Sequence, residues 1–86
     1  MPEVMSFVHK EAAAIRTDLM AIGGRKSAGV LVAIDELEVA QQTTEPTVAL
    51  QAVKTSLSVL QGISGTRHLH PRLKLLQDRL EAPRSD

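Results

Sequence analysis

Residues 27–42, SAGVLVAIDELEVAQQ, hold the densest apolar run of the chain, Val30-Leu31-Val32-Ala33-Ile34, followed at once by the acids Asp35, Glu36 and Glu38. A short apolar run rich in β-branched residues suits a buried strand or a helix, and periodicity within it does not separate the two. The flanks do. Ala28, Val30, Leu31, Ile34, Leu37 and Gln41 fall on one helical face at steps of threes and fours. DELEVAQQ continues with good helix formers. No other segment offers a strand to pair with, and a lone strand would leave its backbone N–H and C=O groups unsatisfied. The stretch predicts a helix. Because Val32 and Val39 fall off its main stripe, it is expected at the centre of a bundle, covered on more than one side.

The rest of the chain supplies its neighbours. A first helix is expected from Pro2 to Ile22, with Val4, Val8, Ala12, Ile15, Leu19 and Ile22 as a coiled-coil-like seam flanked by Met5 and Phe7. Pro2 suits the first turn, and Gly23-Gly24 ends the helix with a glycine in the left-handed cap position. The short link Gly23-Gly24-Arg25-Lys26 makes the first two helices antiparallel. Ser27 is the expected N-cap of the second. Gly29 in its first turn costs about 1 kcal/mol against Ala, which a close backbone contact would explain.

Thr43-Thr44-Glu45-Pro46 breaks the pattern, with Thr44 expected to cap a third helix that runs to Leu60 or Gln61. Its face is Leu50, Val53, Leu57 and Leu60. After the break Gly62–Thr66, Pro71 disfavours helical geometry at His70. A turn through Arg67–His70 is therefore expected, then a helix from Pro71 to about Glu81 with Leu69, Leu73, Leu76 and Leu80 inward. Pro83 stops it, and residues 83–86 are expected to fray. The predicted fold is all-α: a four-helix, antiparallel up-and-down bundle with a short fourth helix, one domain over residues 1–82, and Ile34 and Leu57 at its centre.

At 86 residues, with Phe7 the only aromatic, the core must come from Leu, Val, Ile, Ala and Met. Such a core is modest, and a homodimer is one expected remedy. The net charge of zero argues against nonspecific nucleic-acid binding and against docking on anionic membranes. With no cysteine there is no disulfide framework and no thiol chemistry. No secretory signal and no run approaching the ~20 apolar residues of a membrane span is present, so the expectation is a cytoplasmic protein.

Candidate chemistry is sparse. His68-Leu69-His70, with His9, is the only group with metal or acid–base potential, and the default reading is loop imidazoles. The lysine and glycine that follow the histidine of phosphotransfer domains are not both present after His9 or His70. Gly24-Arg25-Lys26-Ser27 lacks the spacing of a phosphate loop, although Arg25 and Lys26 beside a helix start could hold an anion. No Ser/His/Asp set is identifiable, and Asp35 with Glu38 reads as a solvated face rather than an acid–base pair.

Charge placement is more informative. Residues 27–53 carry four acids and no base, while residues 67–86 carry five bases against three acids. Either the second and fourth helices pair these charges within one chain, or Asp35, Glu36 and Glu38 form a partner-docking face. Arg67, Arg72, Lys74 and Arg79 form the corresponding basic face. The expected function is a small non-catalytic interaction or regulatory protein that binds another protein, or itself, through a helical face, with no cofactor and no metal. A DNA-binding regulator using the fourth helix is the alternative, and a metal- or histidine-dependent activity the third.

Overall fold

The computed structural model describes residues 3–22 and 27–82, with side chains from Met5 onward. Pro2, the Val4 side chain, the glycine stop at residues 23–24, the Arg25-Lys26 link and the tail from Pro83 lie outside the described residues. Four α-helices follow one another: α1 (Glu3–Met20), α2 (Ala28–Gln42), α3 (Pro46–Leu60) and α4 (His70–Glu81), with a single 3-10 turn at Arg67–Leu69 before α4. There is no strand among the described residues, and no described helix is long and apolar enough to cross a membrane.

Cross-helix contacts make each neighbouring pair antiparallel. His9 near the start of α1 meets the Thr43 carbonyl just past the end of α2, and Gly29 at the start of α2 packs on Val59 at the end of α3. Lys54 of α3 reaches Glu81 at 3.6 Å, and the Arg79 guanidinium lies 4.8 Å from the centre of the Phe7 ring, bringing the end of α4 to the start of α1. The architecture is the expected small bundle. α2 packs against both α1 and α3, α3 packs against α4, and the α1–α4 seam is the thinnest.

The core is built on alanines as much as on leucines. Met5, Val8, Ala12, Ile15 and Leu19 are buried from α1, and Ala49, Ala52, Val53, Ser56 and Leu60 from α3. From α2 the buried set is Val30, Ala33, Leu37 and Ala40. This corrects the expected stripe. Ile34 is only half-buried and Leu31 is exposed, so the contact face is turned toward the small residues. Leu57 and Leu50 are likewise half-buried, and the centre of α3 is Val53 and Ser56 instead. The faces turned inward carry small residues, Ala33 and Ala40 from α2 and Ala49 and Ala52 from α3, while Ile34, Leu50 and Leu57 sit at the edge of the core. Val32 and Val39 are also exposed, so the two helices packed on α2 leave the side that carries them open.

The caps show where local signals hold. Ser27 caps α2, its hydroxyl accepting from the Val30 N–H at 3.3 Å. Thr44 does not cap α3. The N-cap position is Glu45, without a side-chain bond, while the Thr43 hydroxyl accepts the Glu45 N–H at 3.1 Å. Pro46 occupies the first helical positions as expected.

At α4, His70 is helical (φ −60°, ψ −47°) although Pro71 follows it. Its Nε2 lies 3.1 Å from the Leu60 carbonyl, which can only accept, so the ring carries its proton there. The buried Thr66 hydroxyl donates to the Ile63 carbonyl at 2.8 Å and lies 3.3 Å from the same imidazole nitrogen. This knot ties the end of α3 to the start of α4 and overrides the pre-proline preference. The loop between them turns at Gly62 (φ +86°) and Gly65 (φ +89°), left-handed positions that glycine fills without strain.

Candidate protein-docking surface

The buried stripe of α2 leaves its opposite side facing outward. That side carries Leu31, Val32, Asp35, Glu38, Val39 and Gln42, all exposed. Three of the six exposed large apolar residues of the described chain are here: Leu31 is 51% exposed, Val32 41% and Val39 44%, and Val48 of α3 adds 42%. The packing of Gly29 on Val59 sets an antiparallel α2–α3 register in which Val48 falls level with Ala40. The result is an apolar strip along the outer edge of the α2–α3 pair with carboxylates set into it. Solitary exposed apolar residues are ordinary on a soluble surface; grouping on one helix face is the informative observation.

The acids differ in their surroundings. Asp35 is exposed and makes no ion pair with any described residue, and Glu36 is half-buried. Glu38 meets Arg16 of α1 at 3.8 Å and accepts from the Gln42 amide at 3.4 Å. Among the described residues no α2 acid pairs with an α4 base, so that one of the two alternatives is not formed.

The basic residues of α4 turn to other partners. Arg72 is clasped by two carboxylates of α1, its Nε and Nη2 donating to Glu11 Oε1 at 2.7 and 2.6 Å and Nη1 to Asp18 Oδ2 at 2.8 Å. The hydrogen bond to Glu11 is the main reason the Arg72 pKa is raised, with partial burial opposing it. Lys74 pairs with Asp78 at 3.2 Å one turn on, and Arg79 lies over Phe7. Arg67 alone of the candidate basic residues is exposed without such a partner, on the rim of a shallow depression of about 270 Å³ lined with His70, Ile63 and the Gly62–Gly65 turn.

The histidines are dispersed. His9 bonds the Thr43 carbonyl, His70 the Leu60 carbonyl, and His68 is exposed. Among the described residues no three His, Asp or Glu side chains converge where a metal ion could sit. Compared with known proteins, the chain matches no family model, no curated protein and no solved structure.

The acidic half of the α2 surface is legible in the sequence, whereas its apolar half is not, because the hydrophobic stripe places Leu31 in the interior. A signal was present. With apolar residues on every side of α2 and only two helices packed closely on it, some had to face outward.

Proposed function

We propose that this chain is a small, non-catalytic cytoplasmic interaction protein that binds another protein, or a second copy of itself, through the outward face of α2. The observation that carries this reading is the grouping of Leu31, Val32 and Val39 on one exposed helix face around Asp35. Such a patch has the make-up of a helical docking surface, with apolar anchors and a polar component that selects the partner. DNA binding through α4 is disfavoured: Arg72, Lys74 and Arg79 already face Glu11, Asp18, Asp78 and Phe7, so the helix presents few uncommitted cations to phosphates.

The test uses the chain expressed in its own host. In native-gel separation of host extract the chain is expected in a species larger than its own 9.3 kDa. The double substitution Val32→Ser, Val39→Ser should abolish that species while leaving the circular-dichroism melt unchanged. Migration of the parent as the free chain, or an unaltered complex in the double variant, refutes the reading.

A further inference from the structure

We infer that the occupant of the α2 face is a basic amphipathic helix of a different protein and not a second copy of this chain; the inference rests on the docking reading above. The argument is electrostatic and geometric. Residues 27–53 contain four acids and no base, so everything α2 and the first half of α3 present outward is acidic, polar uncharged or apolar. Among the described residues, the base that reaches this face is Arg16, engaged by Glu38 at 3.8 Å. Asp35 stands between the two ends of the strip with no cation beside it among the described residues.

A homodimer through this face would be two-fold symmetric, so the face would meet its own image. With the axis through the middle of the Val32–Val39 span and the helices antiparallel, Asp35 comes level with Glu36 of the other copy, and nothing in residues 27–53 can neutralise the pair. Like charges brought together at a contact act as a repulsive selection against that partner. The same face matches a helix of opposite charge. Val32 and Val39 are two turns apart, about 10.5 Å along the axis, the distance between apolar anchors at i and i+7 of a bound helix. Leu31 and Val48 broaden the strip on either side. Lysines or arginines bordering the partner's apolar stripe would meet Asp35, Glu38 and Glu36. The fifteen residues of α2 provide a track for a helix of about four turns.

The experiment places a photo-reactive phenylalanine analogue at Gln42, on the same face but outside the apolar strip, and in a control at Ser58 on the exposed side of α3. Each full-length chain is irradiated in living cells of its host, and the crosslinked peptides are sequenced by mass spectrometry. The expected adduct at position 42 is a segment of another protein with apolar residues at i, i+3 or i+4 and i+7 and an excess of Lys and Arg. Adding Asp35→Lys should lower its yield by about threefold or more when purified chain and that partner are irradiated at low salt, and the difference should shrink as salt screens the contact. A crosslink to a second copy, or to a segment without basic excess, overturns the inference and leaves the docking surface standing. An unchanged yield with Asp35→Lys also overturns it. Adducts at position 42 no more abundant than at position 58 overturn the docking reading itself, and the inference with it.

Discussion

Gly29 offers a sharp test of the packing, because two physical terms of similar size act on it with opposite signs. In an isolated or exposed helix, Gly→Ala stabilises by about 1 kcal/mol, through helix propensity and a less flexible unfolded chain. Here a β-carbon on residue 29 would stand 2.8 Å from Ile63 Cδ1 and 2.9 Å from the Val59 carbonyl oxygen, both inside any ordinary carbon contact. The first contact is the tip of a flexible side chain and can rotate away. The second is backbone of α3, so relief requires α2 and α3 to move apart, loosening the packing between them.

Overpacking of that kind costs about 1–3 kcal/mol. Against the propensity gain, Gly29→Ala is expected to destabilise by about 1 kcal/mol, which lowers Tm by roughly 4–8 °C in a domain of this size. Urea unfolding followed by far-UV circular dichroism measures it. The companion variant Ile63→Val removes Cδ1, and in its background Gly29→Ala should still destabilise because the Val59 contact persists. If Gly29→Ala instead raises stability by about 1 kcal/mol, as at an open helical site, the α2–α3 register described here is wrong.

Other perturbations separate the remaining elements. Leu37→Ala, at a fully buried position, should cost about 2–5 kcal/mol in urea melts, while Ile34→Ala one turn earlier should cost clearly less; equal losses would return Ile34 to the centre. Arg72→Met should lower stability by no more than about 1 kcal/mol because the clasp is partly solvated, and the deficit should fade toward about 1 M salt, where screening acts over about 3 Å. Since the arginine pKa is raised on folding, its contribution holds below its ordinary value and is lost only at still higher pH, so neutral-range titration should not reveal it. His70→Ala and Thr66→Val should each destabilise by about 1–2 kcal/mol and be less than additive together, since both groups serve the same end of α3; a double-mutant cycle with full additivity would dissolve the knot.

The fold class could be read from the sequence because helical stepping, breakers and one cap agreed with one another. Ser27, Pro46 and the Gly62–Gly65 turn are local signals whose effect is complete within a few residues. The inward face of α2 could not be read the same way. The stripes Val30-Ile34-Leu37-Gln41 and Val30-Ala33-Leu37-Ala40 share two members, and hydrophobicity favours the first while close approach favours the second. Which one wins depends on the helices packed against α2, information that lies outside the segment. The fate of the bases was hidden for a similar reason: Arg72 meets acids far back in α1, and no spacing rule connects them. The pre-proline rule, being local, predicts a turn at His70, whereas the tie to Leu60 that makes it helical is tertiary.

Because the strong interfaces follow chain order, α1 on α2, α2 on α3 and α3 on α4, each helix can dock on its predecessor as soon as it exists. No early step waits for a distant segment, and folding should be fast, on the microsecond-to-millisecond scale of local-contact helical proteins. Only the thin seam between the outermost helices demands closure of the whole chain, and its polar contacts among the described residues are the Arg72 clasp and Arg79 over the Phe7 ring. In hydrogen exchange, α4 should therefore open as a unit before the three-helix body does, its amides trading protons with solvent while those of α2 and α3 stay protected until global unfolding.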